Sequence, residues 1–189
     1  MTGIYSNAFS GCTNLETVIL PETLESIGTF AFAECEKLYE QDSGLAYAGN
    51  WLVGAKQNII SANVREGTQH IADGIFIENS NLSSVSLPST LKTIGSFAFF
   101  GCSSLTSIEI PEGVTEIGQQ AFRNCFNIKK VIFLSSVPPA IGSDLFSNKW
   151  EPTEFTVYVP RGSLEAYRSV NDEYWQDYLV KLDRIKEME

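Results

Sequence analysis

The side chains best suited to chemistry here are four cysteines, a single histidine and a group of glutamates, and their spacing limits what they can do. Cys12 and Cys35 lie 23 residues apart, and so do Cys102 and Cys125. A zinc site needs ligands that converge from short spacings. One cysteine every 23 residues supplies none, so no metal is expected. A disulfide needs Cα atoms within about 7 Å, which this spacing meets only if the fold stacks residues one interval apart. The competing reading is a file of small buried thiols. His70 has no second histidine to ligate beside it and no base-oriented serine in view, so neither a His cluster nor a Ser-His-Asp site is expected. Glu109, Glu112 and Glu116 could hold a cation, but a calcium loop places oxygen ligands at alternate positions around a glycine-set turn. That run is missing, and a solvated acidic face is the reading. Nothing converges on catalysis, so neither an enzyme nor a cofactor is expected.

The elements that position these residues are repeats. Ile4, Ile27, Ile71, Ile94 and Ile117 each open a similar string, and Ile141 opens a looser one. A small or aliphatic residue followed by Phe comes four positions later, as in Ala8-Phe9, Ala31-Phe32, Ile75-Phe76, Ala98-Phe99, Ala121-Phe122 and Leu145-Phe146. Eight positions after the opening Ile stand Cys12, Cys35, Asn79, Cys102 and Cys125, so every cysteine occupies one slot. Alternating pairs follow, Val18/Leu20, Val85/Leu87, Ile108/Ile110 and Val131/Phe133, and Pro21, Pro88 and Pro111 end three of them. Alternation puts both members of a pair on one face of a short strand, and proline stops the strand because it cannot donate to a ladder. The 44-residue step between Ile27 and Ile71 hides a drifted unit, in which Gly49-Asn50 between two apolar strings predicts a hairpin turn. A single unit buries too little apolar surface to offset the entropy of ordering it, so the units must stack, each covering its neighbour's open end.

Composition agrees with a packed chain. The 189 residues are 43% hydrophobic and 19% charged, and no apolar run approaches the roughly 20 residues that cross a bilayer. Thirteen Lys plus Arg against 23 Asp plus Glu give a net charge of -10, which repels phosphate backbones and anionic membrane surfaces. Neither nucleic acid nor membrane insertion is expected. The start, Met1-Thr-Gly-Ile-Tyr, has neither the positive patch nor the apolar stretch of a secretion signal.

The string Ile94-Gly-Ser-Phe-Ala-Phe-Phe-Gly-Cys-Ser-Ser-Leu-Thr-Ser-Ile-Glu-Ile-Pro-Glu-Gly-Val-Thr-Glu116 resembles the 23-residue unit of the BspA-like leucine-rich repeat family, and the likeness covers almost the whole chain. It departs from the general leucine-rich pattern in lacking Asn or Cys after the strand, where Thr23, Thr90 and Gly113 stand. The resemblance implies a leucine-rich repeat solenoid: a right-handed coil with a parallel sheet of short strands on one face, irregular or 3-10 turns on the other, and a short C-terminal helical cap. It also implies a secreted or cell-surface bacterial protein whose leader lies outside this chain, with adhesion to a host matrix or cell-surface protein as its usual role. Six full or partial coils plus a variant one are expected within a single domain over 1–189. The coils run over 1–160, with the variant at 39–70, and the cap covers 161–189. In the cap, Ser163 is a plausible N-cap, and Leu164, Tyr167, Trp175 and Tyr178 can cover the coil edge. Nothing amphipathic precedes Ile4, and an uncapped start suggests a fragment or a first coil that pairs elsewhere.

The surface expected to meet a partner is the outward side of the strands. Its slots hold Thr17 and Ile19, Glu40 and Asp42, Ser61 and Asn63, Ser84 and Ser86, Ser107 and Glu109, Lys130 and Ile132, with Tyr158 on the last strand. Phe97, Phe100 and Phe126 depart from the repeat pattern, and either pack together or form an exposed anchor patch. His70 fills a slot held elsewhere by Ser26, Thr93 and Glu116, which predicts a solvated position. Two functions fit: a non-enzymatic recognition or adhesion module acting through the strand face, or a structural spacer within a larger surface protein.

Overall fold

A computed structural model describes residues 2–146, 155–171, 175–180 and 183–189. The chain winds as a leucine-rich repeat solenoid of about six turns. Fourteen strands are found among the described residues, and all but one fall into two rows. One row lies at the opening isoleucines: β1 (Gly3–Ile4), β2 (Ser26–Ile27), β4 (Trp51–Ala55), β6 (His70–Ile71), β8 (Thr93–Ile94), β10 (Glu116–Ile117) and β12 (Ala140–Ile141). The other contains the alternating pairs: β5 (Ser61–Asn63), β7 (Ser84–Ser86), β9 (Ser107–Ile110), β11 (Lys130–Phe133), β13 (Thr156–Val159) and β14 (Ile185–Glu187). From β5 onward the coils therefore make two parallel ladders where the sequence predicted one. The opening row escaped the periodicity argument because two residues show no alternation.

Within the opening row Ile27, Ile71, Ile94 and Ile117 turn inward, and the glycines that follow Ile27, Ile94, Ile117 and Ile141 meet the preceding coil. A Cβ at Gly118 would lie 2.4 Å from the Ser96 nitrogen, and one at Gly142 2.3 Å from the Gln119 nitrogen. Glycine here serves close approach rather than backbone freedom. The turns that follow use left-handed residues at a fixed slot, Asn7, Phe30, Gly74, Phe97, Gln120 and Asp144, all with φ between 54° and 66°. From this half of the coil, alternate N–H groups donate to the next coil: Phe97 to Gln119 O at 2.9 Å, Phe99 to Ala121 O at 2.8 Å, Gly101 to Arg123 O at 2.9 Å.

Stacking in register produces interior columns. Phe9 lies on Phe32, and Phe76, Phe99, Phe122 and Phe146 continue in a second stack, with centroids 5.0 to 5.5 Å apart and planes within 17°. Each such contact adds roughly 0.5–1.5 kcal/mol to simple burial. Beside them the thiols of Cys35, Cys102 and Cys125 donate to the carbonyls of Phe9, Phe76 and Phe99 at 3.1 to 3.2 Å. Asn79 fills the same slot with its amide donating to Lys56 O at 3.0 Å. All four cysteines are free. Cys12 is exposed, against the expectation of a fully interior file, because among the described residues no coil covers the outer side of the first one.

The drifted unit contains the expected hairpin. β3 (Leu45–Ala48) pairs antiparallel with β4 around Gly49 and Asn50, and Gly49 takes φ 59°. β4 then enters the opening row against β6. β4 thus runs straight where neighbouring coils turn, and among the described residues the N–H groups of Phe30, Phe32 and Glu34 lack the acceptors their equivalents have. Arg65 stands where other coils have the strand-ending proline. Its guanidinium bonds Glu40 at 2.8 Å and lies 4.0 Å from the centre of the Tyr47 ring, pinning the hairpin to the solenoid.

At the far end α1 (Leu164–Arg168) places Tyr167 against Phe133, and Trp175 packs on Phe133 and Phe146. Tyr167 donates to Ser135 O at 2.9 Å, and the Trp175 indole donates to Tyr167 O at 2.8 Å. Leu164 is partly buried against the core, while the Tyr178 side chain lies outside the described residues. Ser163 precedes the helix but does not cap it with its side chain; its hydroxyl turns back to Pro160 O at 2.5 Å. The chain then returns as β14, so β13 is not the last strand of its row, as the sequence had implied.

Candidate binding surface

The alternating row carries the sequence-predicted strip. Ser61 stands opposite Ser84 and Asn63 opposite Ser86. Lys130 faces Ser107, and Ile132 faces both Glu109 and Tyr158. Because side chains alternate along each strand, Val85, Ile108, Val131 and Val157 turn toward the core while these point out. Ser84, Ser86, Ser107, Glu109 and Lys130 are exposed, and Ile132 and Tyr158 are half-buried. The Lys130 ammonium sits 4.8 Å from the centre of the Tyr158 ring, a cation–π contact that holds both side chains over the sheet. β14 adds Lys186 opposite Tyr158, a residue missed in the sequence because Ile185 is one apolar position in a charged stretch.

Two parts of the expected strip are not in it. Thr17 and Ile19 are exposed, Ile19 at 98%, but their segment forms no strand. Glu40 and Asp42 lie in a turn that leads into β3, with Gly44 N–H on Glu40 O at 3.1 Å. The row is also split: β7 pairs only with β5, and β9 only with β11, so no ladder joins Ser84 and Ser86 to Ser107 and Glu109. A half-open groove of about 790 Å³ occupies this place, lined by Val85, Leu87, Pro111 and Leu134 with Glu66, Glu109 and Glu112.

Phe97 and Phe100 pack on one another at 6.1 Å, half-buried, whereas Phe126 stands apart and is 44% exposed. The three do not form one patch. His70 is half-buried rather than solvated. It stacks on Trp51 with ring centroids 4.5 Å apart, its Nδ1 lies 2.9 Å from the Thr93 hydroxyl, and burial lowers its pKa. Burial raises the carboxyl of Asp73, partly offset by the Ser96 N–H it accepts at 2.8 Å. Burial also pushes the Cys125 thiol up to about 12 and raises those of Cys35 and Cys102. Thiols so raised are poor nucleophiles. Among the described residues no three His, Cys, Asp or Glu side chains gather as a metal site, and no helix is long and apolar enough to cross a membrane.

The repeat slots and the columns they build can be set against known families. The profile of the family described as BspA type Leucine rich repeat region matches residues 1–79 and 50–162, in six copies. This chain belongs to that family. The BspA-type repeat accounts for the opening Ile-Gly, the Ala-Phe turn and the cysteine slot together. Among solved structures, the chain is similar to a leucine-rich repeat protein of T. pallidum, at 22% identity over 92% of this chain and 79% of that one, TM-score 0.46. It is likewise similar to a leucine-rich repeat protein of Bacteroides ovatus, at 21% identity over 100% of this chain and 58% of that one, TM-score 0.42. A leucine rich cell surface protein of Faecalibacterium prausnitzii gives 20% identity over 100% of this chain and 52% of that one, TM-score 0.46. The BspA-type chain thus spans little more than half the length of the last two. No curated protein matches it.

Proposed function

We propose that this BspA-type chain is a non-enzymatic protein-binding module of a secreted or cell-surface protein, engaging its ligand through the alternating strand row. One observation carries the reading: in two blocks, Ser61 to Ser86 and Ser107 to Lys186, the outward side chains stand in register on parallel strands, exposed or half-exposed, with no described element laid across them. Short polar side chains on either side of the groove let a partner approach closely, and the Lys130–Tyr158 pair supplies an ordered aromatic edge of the kind that anchors interfaces. The reading is tested by capture on a panel of immobilised host matrix and cell-surface proteins. Saturable binding by the wild type, lost in the Ser84→Arg, Ser107→Arg double variant, supports recognition through the row. Binding that persists in the double variant moves the site elsewhere, and the absence of any saturable ligand favours a spacer.

A further inference from the structure

The split between β7 and β9 has no counterpart along the rest of the alternating row, where β5 pairs with β7, β9 with β11, β11 with β13 and β13 with β14. Its effect shows in the core. Ile108, Ile110, Val131, Phe133, Val157 and Val159 are fully buried, but the equivalent Val85 and Leu87 are only partly so. Leu134 is 38% exposed beside them. The groove therefore has an aliphatic floor that the other strand pairs close off. Its rim is predominantly acidic: Glu66, Glu109 and Glu112 line it, against one ammonium nearby, that of Lys92, 3.8 Å from where a Cβ on the lining residue Gly113 would stand. Glu66 is already oriented, accepting from the Ser89 N–H at 3.2 Å and from the Ser89 hydroxyl at 3.3 Å. The opposite end of the row carries both signs, with Lys130 and Lys186 around Tyr158 and Glu187 and Glu189 beside them.

We propose that this groove docks an extended basic segment of a partner protein, its lysine or arginine side chains on the rim carboxylates and an aliphatic side chain between them on Val85, Leu87 and Leu134. The inference rests on reading the alternating row as a protein-binding face, and it names the partner chemistry. Alternation along an extended chain presents cations and aliphatic groups to opposite sides, and long basic side chains can lay their methylene stems along the floor while their heads reach the rim. The volume lies within the range of ligand pockets in proteins. An acidic segment meets the same shape with like charge at Glu66, Glu109 and Glu112, which is repulsive.

The test uses the whole chain and two fluorescein-labelled peptides, one alternating lysine with leucine between serine ends, the other with glutamate in place of lysine, followed by anisotropy. Saturable binding of the lysine peptide alone is expected, weakened at least about tenfold by Glu109→Lys with Glu112→Lys. Leu134→Ser, which leaves the charge unchanged, is expected to weaken it as well. Glu22→Lys with Glu25→Lys makes the same change of net charge on another coil and is expected to leave binding within about twofold. Circular dichroism confirms that each variant is folded. Failure of the lysine peptide to saturate, equal binding of the glutamate peptide, or equal losses in the two charge-reversal variants overturns the groove. Should that happen while Ser84→Arg with Ser107→Arg still abolishes capture of a matrix protein, the strand-row reading stands without it.

Discussion

Trp51 and His70 stack across the β4–β6 ladder with ring centroids 4.5 Å apart, joining the hairpin to the first regular coil after it. Burial lowers the His70 pKa from its ordinary value of about 6.5. Between that value and the folded one the unfolded chain holds the extra proton. The contribution of His70 is thus intact above the unfolded pKa and lost as pH falls through the folded one. Asp73 acts with the opposite sign at lower pH: its raised carboxyl favours the folded state in acid, and that contribution is lost as pH rises through its folded pKa. Urea unfolding of the wild type is expected to show stability falling as pH is lowered below 7. His70→Gln removes that step. The chain has one imidazole, so its NMR titration reads His70 alone.

Gly118→Ala is expected to destabilise the fold by about 1–3 kcal/mol, the usual cost of overpacking. The added methyl would meet the Ser96 nitrogen at 2.4 Å, and backbone cannot swing aside as a side chain does. Gly49→Ala is the contrast: nothing lies within 4 Å of its Cβ, so its cost comes only from φ 59°. Denaturant midpoints of the two variants compare steric and conformational penalties directly.

Amide exchange offers a view of the irregular coil. The N–H groups of Phe97, Phe99 and Gly101 bond to the next coil, while those of Phe30, Phe32 and Glu34 have no such acceptors among the described residues. The first three are expected to be protected well beyond the second three, since exchange of a bonded amide requires opening. Equal protection would mean that the chain at β4 turns as its neighbours do.

Much of the solenoid was legible because inward residues recur at one interval: the Phe stack, the cysteine slot and the Val/Leu strands follow from it, and Gly49-Asn50 marked the hairpin. The binding row was only partly legible. Val85 and Leu87 read the same as Ile108 and Ile110 and stand one 23-residue step before them, yet only the first pair is uncovered. Exposure also depends on what lies over a coil, so Cys12 and Cys35 share a slot and differ in burial. His70 looked solvated because its slot holds Ser, Thr or Glu elsewhere; the Trp51 that shields it comes from the irregular hairpin, which has no register in the repeat.

The outward row exists only because successive coils lie one on another with their Phe and Cys slots inside, and thiol counting tests that arrangement most directly. With a water-soluble maleimide at pH 7.5, the folded protein is expected to react quickly at one cysteine, Cys12, identified by peptide mapping, while Cys35, Cys102 and Cys125 react only after denaturation. Rapid labelling of Cys102 or Cys125 in the folded chain would contradict the stacked coils and the binding row built on them.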